Sequence, residues 1–179
     1  MKSLYTFTLL LVSGFVFAQP PSPYKNIKLE NSQVFFEKVY LMDSLSASNI
    51  ERLLVEQMPR VKNLKGFSKS DGIITARIEE CAVDYKKYGG KWGNTLLHLN
   101  HPLFSNVSIV WKDGKYKVAM SNMEWHAAGI GTVSATDLFT KWGKGKDWDM
   151  SKTVLKGGEY VDLYFSDLFK VTSRSKDDW

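Results

Sequence analysis

The sequence predicts an α+β domain in which helices cover one face of an antiparallel sheet. Three observations support this fold class. β-rich runs recur between turn residues, two amphipathic helical stripes lie towards the two ends of the chain, and residues 108–120, SIVWKDGKYKVAM, have the pattern of a tight hairpin. With 179 residues, of which 24% are charged, the chain has the length of one domain with its own hydrophobic core.

The N-terminus has the layout of a secretory signal peptide. Lys2 provides a positive start, an apolar run covers 4–17, and Val16 and Ala18 are small residues placed before a cleavage point. The run is shorter than the roughly 20 residues that span a bilayer, and no cysteine follows it that could carry a lipid. We therefore expect cleavage after Ala18, export to the periplasm or the extracellular space, and a mature protein without a transmembrane anchor.

The mature chain is expected to consist of an extended linker over 19–33, which contains three prolines, and a single α+β domain over 34–179. Its net charge falls from +5 to +4 when Lys2 is removed with the leader. Because this surplus is small and the protein is expected to be exported, nucleic acid is a poor candidate partner. Cys81 is the only cysteine, so it cannot form a disulfide within the chain.

The first half of the domain is predicted to contain a strand, a helix and a second strand. The β-rich run VFFEKVY at 34–40 is the first strand, and Ile73–Val83 is the next. Ser48 and Glu51 fit a capping box at the start of a helix, and Pro59 is expected to end that helix. The apolar stripe of this helix consists of Ile50, Leu53, Leu54 and Met58.

The glycine-rich segment 84–94 is predicted to be a turn between strands. Its Gly-Gly-Lys sequence does not make a phosphate-binding loop, because no Ser or Thr follows Lys91.

The hairpin has Asp113-Gly114 as a two-residue turn, which sets the register of its arms. The predicted pairs are Lys112 with Lys115, Trp111 with Tyr116, Ile109 with Val118 and Val107 with Met120. Alternation of side chains places the apolar members of these pairs on one face, which must be covered by helices. Lys112, Lys115 and Lys117 share the other face.

A second main helix is predicted near the C-terminus, from about Glu159 onward, with Glu159 and Asp162 in its first turn. Its apolar stripe consists of Val161, Tyr164, Phe165, Leu168 and Phe169. Before it, a short extra helix is expected to begin at Ser134 and to run through Trp142 until Gly143 stops it. A Lys/Gly-rich loop that contains Trp148 then follows.

This order of elements, with DGIITARI at 71–78 and VWKDGKYKV at 110–118, resembles a family of exported bacterial domains of unknown function with a TATA-binding-protein-like (TBP-like) fold. The resemblance covers roughly 34–125 and the last helix, while the lysine-rich segment 143–158 departs from it. It implies a curved antiparallel sheet with two main helices packed on one face. It implies no catalytic residues, and a fold alone does not define a function. We expect no cofactor.

Two classes of function are compatible with the side chains. His98, His101 and His126, with Glu124 near the last, would supply a metal site, which makes a metal-dependent hydrolase the alternative prediction. The main prediction is a non-catalytic binding or envelope-associated module. Its ligand would be an anionic envelope polymer or glycan, or another envelope protein. The candidate ligand-binding residues are Lys112, Lys115, Lys117, Trp142 and Trp148, which combine cations with aromatic faces.

Overall fold

The computed structural model describes residues 21–129 and 131–172, so the predicted leader at 1–18 lies outside the described residues. Seven antiparallel strands form a single sheet with the spatial order β1-β2-β6-β5-β4-β3, and β7 pairs with the end of β6. The strands are β1 (Ile27–Glu30), β2 (Gln33–Leu41), β3 (Leu64–Ser70), β4 (Ile73–Cys81), β5 (Leu103–Lys112), β6 (Lys115–Ala127) and β7 (Gly131–Ser134).

The hairpin between β5 and β6 has the predicted register, from Lys112 opposite Lys115 to Val107 opposite Met120. Its covered face is buried at Ile109, Tyr116 and Val118, whereas Trp111 near the turn is only partly buried. Trp111 lies one pair from the turn, where the covering helices reach it less completely. The predicted pairing is confirmed, but Trp111 is not a fully buried residue.

Three α-helices accompany the sheet: α1 (Ala47–Gln57), α2 (Ala135–Phe139) and α3 (Lys152–Leu168). Helices α1 and α3 bury their apolar stripes in one core with the sheet, which confirms the α+β fold with two main helices on one face. None of the helices in the described ranges is long and apolar enough to cross a membrane. The opposite face of the sheet exposes Val39, Leu41 and Val110.

Both main helices begin earlier than predicted. The cap of α1 is Ser46, whose Oγ accepts the backbone N–H of Asn49 at 3.4 Å, so the capping box predicted at Ser48 is wrong. Helix α3 begins seven residues before Glu159 and includes Gly157 and Gly158. Glycine is needed at these two helical positions because a Cβ at Gly157 would overlap Leu96 and a Cβ at Gly158 would overlap Tyr24. Glu159 and Asp162 therefore lie mid-helix.

The segment predicted as a linker, 19–33, contains β1 and the first residue of β2. Ile27 and Leu29 alternate with polar residues and are buried against the sheet, so the domain begins before residue 34. Strands β3 and β7 were not predicted. Of the residues of β3, only Leu64 is buried, so the strand has no alternating apolar face that could have identified it from the sequence.

Candidate functional site

The three histidines do not form the metal site that the sequence left open. His126 lies on β6, where its ring stacks on Phe104 with centroids 4.3 Å apart and its Nε2 is 3.7 Å from Glu124 Oε2. His98 lies in a single turn before β5, and partial burial together with the nearby His101 lowers its pKa. Among residues 21–129 and 131–172, no three His, Cys, Asp or Glu side chains are placed to hold a metal ion. This arrangement favours the main prediction of a binding module over a metal-dependent hydrolase built on the three histidines.

Cys81 is the other reactive side chain, and it is 1% exposed. Burial raises the pKa of its thiol, and its Sγ lies 3.3 Å from the hydroxyl of Tyr164. A thiol with a raised pKa stays protonated at neutral pH and is a poor nucleophile.

The predicted basic face of the hairpin is less basic than its sequence indicates. Lys117 Nζ lies 2.9 Å from Glu37 Oε2, and the same carboxylate binds Lys28 at 2.5 Å. The hydrogen bond from Lys28 is the main cause of the lowered pKa of Glu37, and the hydrogen bond from Lys117 lowers it further. Lys112 and Lys115 remain opposite each other beside the turn. Of the three predicted lysines, Lys112 and Lys115 form no ion pair within the described residues, while Lys117 shares one carboxylate with Lys28.

Trp148, predicted as a ligand-binding residue, is buried with 4% of its surface exposed. Its ring packs edge-on against Tyr24 at 5.4 Å, and its backbone forms a bridge with Thr140. The prediction for Trp148 is therefore wrong, because its indole face is enclosed by protein and is not available for stacking on a ligand.

Trp142 has the opposite environment. Its side chain is 86% exposed, and its backbone has φ 54° and ψ 24°, in the left-handed region that side chains with a Cβ rarely adopt. The predicted short helix ends at Phe139, so Trp142 lies in the loop that follows. The ammonium of Lys144 lies 5.6 Å from the centroid of the indole ring. An exposed aromatic surface is thus held beside a cation.

Residues 140–148, here named the Trp142 loop, are closed by internal hydrogen bonds. Lys141 N donates to Asp147 O at 2.9 Å, and Gly145 N donates to Thr140 Oγ1 at 3.0 Å. A Cβ at Gly145 would overlap the backbone of Ser32, so the loop lies directly on the turn between β1 and β2. The side chains of Lys141, Lys144 and Lys146 are exposed. The loop therefore presents Trp142 and three lysines from a well-supported backbone.

A concave surface runs along α3, and the sequence did not predict it. It encloses about 1230 Å³ and is here named the α3 groove. Residues 23–26 with Lys38 form one wall, and residues from the loop 89–94 form the other. Because these segments are far apart in the chain, no local pattern could have indicated that they meet.

One wall of the α3 groove is attached to the helix by a buried carboxylate. Asp162 is 7% exposed and accepts hydrogen bonds from Asn26 N at 2.8 Å and from Asn26 Nδ2 at 2.5 Å. Ser166 Oγ donates to the same carboxylate at 3.2 Å. Asp162 thereby holds the segment before β1 in place along α3.

The sheet, its two covering helices and these open surfaces define an α+β domain with a TBP-like fold. The structure is similar to a TBP-like protein from Parabacteroides distasonis ATCC 8503, with a TM-score of 0.53, 13% sequence identity and coverage of 79% of this chain and 94% of that one. It is also similar to a DUF4468 family protein from Bacteroides ovatus ATCC 8483, with a TM-score of 0.51, 16% identity and coverage of 83% and 94%.

No protein-family model matches the chain, and no curated protein sequence does. At identities this low, the two structural similarities establish the TBP-like fold and nothing about a ligand or a reaction.

Proposed function

We propose that this protein is an exported, non-catalytic binding module that attaches to an anionic glycan of the cell envelope through the Trp142 loop. The observation that carries the proposal is the 86% exposure of Trp142 at a left-handed backbone position. Backbone strain of this kind is concentrated at ligand-binding and functional sites, where the surrounding structure maintains it. Here the hydrogen bonds inside the loop and its contact with Ser32 maintain it.

The chemistry of the loop matches an acidic sugar polymer. The flat face of an indole packs well against the apolar C–H face of a sugar ring. Lys144 lies beside that face, and the exposed Lys141 and Lys146 belong to the same loop, so the three would attract carboxylate or sulfate groups on the same polymer. A single exposed aromatic residue is common on protein surfaces, but the combination with three exposed lysines on a closed loop is more specific.

The closed backbone also favours binding. A loop that is already ordered loses less conformational entropy when it binds than a loop that must become ordered. The signal peptide predicted at 1–18 supports an envelope partner, since an exported domain would meet such polymers in the periplasm or outside the cell.

The test uses the mature protein, residues 19–179, with polygalacturonate and heparin as acidic glycans and dextran as a neutral control. We expect Trp142→Ala to weaken binding of the acidic glycans about tenfold or more, the usual effect of removing a central aromatic contact. Trp92→Ala is the matched control, because Trp92 is 71% exposed but lies in the 89–94 loop. Binding should also weaken as salt is raised, since the lysines are exposed.

Two results would contradict the proposal. One is binding that is unchanged in a folded Trp142→Ala variant. The other is a loss of glycan binding that occurs only in the double variant Lys112→Glu with Lys115→Glu, which would assign glycan binding to the open face of the hairpin instead.

A further inference from the structure

The carboxylates of the α3 groove already have partners within the protein. Glu159 accepts a hydrogen bond from Lys156 at 2.6 Å, and Asp162 is occupied by Asn26 and Ser166, as described above. Asp167 accepts hydrogen bonds from Lys87 and Tyr88, both at 2.8 Å, and the first of these is the main cause of its lowered pKa. Asp162 keeps its negative charge, because its hydrogen-bond donors are neutral, but the groove is lined by five lysines and only three carboxylates.

Four lysines around the same groove have no such partners. Lys25, Lys38, Lys91 and Lys152 all line it, and none forms an ion pair with another residue of the described ranges. A concave surface whose lysines outnumber its carboxylates, and most of whose lysines form no ion pair in the described part of the chain, is complementary to an anionic ligand.

Lys38 is the most informative of the four. It lies on the covered face of β2, in line with Phe36 and Tyr40, and its side chain is partly buried where the sheet meets α3. Its Nζ is 5.0 Å from the centroid of the Tyr40 ring, and burial is the main cause of its lowered pKa. Asp162 and Asp167 attract this ammonium from a distance, but neither forms an ion pair with it, so an anionic group of a ligand that contacts Lys38 would compensate its partial loss of hydration more directly.

The shape and apolar content of the groove indicate a chain segment as the ligand. Its volume of about 1230 Å³ exceeds the roughly 300–1,000 Å³ of typical small-molecule pockets. From Lys152 to Asp162 the helix rises about 15 Å, which corresponds to about four or five residues of an extended peptide. Leu163 and Met150 line the groove and are 41% and 59% exposed, so the surface also offers apolar contacts.

We propose that the α3 groove binds an extended acidic peptide segment with interspersed apolar residues, contributed by a partner protein. A peptide is favoured over a sugar polymer because the aromatic residues of the groove, Tyr24 and Tyr160, are partly or fully buried and offer no open ring for stacking. This site is separate from the Trp142 loop and does not depend on glycan binding there.

The probe is a fluorescein-labelled ten-residue peptide in which glutamate alternates with leucine, and its binding to the mature protein is measured by fluorescence anisotropy. Peptides that alternate lysine with leucine, or glutamate with serine, test the need for negative charge and for apolar side chains. We expect the Glu/Leu peptide to bind more tightly than either comparison peptide.

Three variants locate the site. The double variant Lys38→Gln with Lys152→Gln should bind the Glu/Leu peptide about tenfold more weakly, the effect expected when two partly exposed ion pairs with the peptide are lost. Leu163→Glu should weaken it further, since it places a carboxylate among the apolar contacts. Lys112→Gln with Lys115→Gln removes the same charge from the hairpin and should leave binding unchanged, as should Trp142→Ala.

The proposal is overturned if the Glu/Leu peptide does not bind, or if the hairpin double variant weakens binding as much as the groove double variant. It is also overturned if polygalacturonate, rather than the peptide, binds with a dependence on Lys38 and Lys152. Circular dichroism of each variant confirms that a loss of binding is not a loss of fold. If the groove variants still bind glycan, a failure of peptide binding concerns the α3 groove alone and not the Trp142 loop.

Discussion

The hydroxyl of Tyr116 connects the central hairpin to the end of α3, and its removal should destabilise the domain measurably. Tyr116 is 1% exposed, and its ring stacks on Tyr40 with centroids 4.6 Å apart. Its Oη donates to the carbonyl of Phe169 at 2.7 Å and accepts the N–H of Val171 at 2.9 Å. These two backbone groups belong to the chain that leaves α3, where helical hydrogen bonds are no longer available.

Tyr116→Phe keeps the ring and removes only these two hydrogen bonds. Each intramolecular hydrogen bond contributes about 0.5–1.5 kcal/mol net, and a buried group left without a partner costs about 1–3 kcal/mol. We therefore expect the free energy of unfolding to fall by about 2–4 kcal/mol. Urea denaturation of the mature protein measures this change as a lower midpoint with an unchanged m-value.

Tyr40→Phe is the matched control on the stacked partner ring. The hydroxyl of Tyr40 lies 3.2 Å from the carbonyls of Phe165 and of Ser166, and the first of these also accepts the N–H of Phe169. Its removal should therefore cost less than about 1 kcal/mol. Equal losses for the two variants, or a loss below about 0.5 kcal/mol for Tyr116→Phe, would refute the role assigned to the Tyr116 hydroxyl.

Four further outcomes are expected. Mass spectrometry of the exported protein should find Gln19 at the N-terminus, and an intact Met1 would contradict cleavage. Trp111→Ala should reduce the free energy of unfolding by about 2 kcal/mol, below the range for a fully buried aromatic residue. Asp162→Ala should reduce it by about 3 kcal/mol, since the buried donors of Asn26 lose their acceptor. The lowered pKa of Glu37 means that its ionised carboxylate stabilises the folded domain; this stabilisation is present above the unfolded pKa of 4.5 and is lost as the pH falls through the folded pKa. Glu37→Gln should therefore reduce the loss of stability at acidic pH by less than about 1 kcal/mol.

The parts of the fold that were predicted correctly depend on residues close together in the chain. The register from Lys112–Lys115 to Val107–Met120 follows from a two-residue turn and strict alternation, so the hairpin was identified from a few residues. The stripes of α1 and α3 follow from helical spacing in the same way. The ends of these helices were less predictable, because Gly157 and Gly158 resemble helix breakers until Tyr24 and Leu96 are seen to pack against them.

The candidate sites depend on contacts between distant residues. Trp142 and Trp148 occur in the same Lys/Gly-rich segment, yet one is 86% and the other 4% exposed, because the chain folds back so that only Trp148 meets Tyr24. Asn26 and Asp162 are 136 positions apart, and their hydrogen bonds place one wall of the α3 groove against the helix. Sequence periodicity reports which face of an element is apolar, but burial, ion pairing and concave shape depend on which elements meet. Only the tertiary structure therefore separates the four lysines of the α3 groove, which form no ion pair within the described residues, from Lys117, which pairs with Glu37.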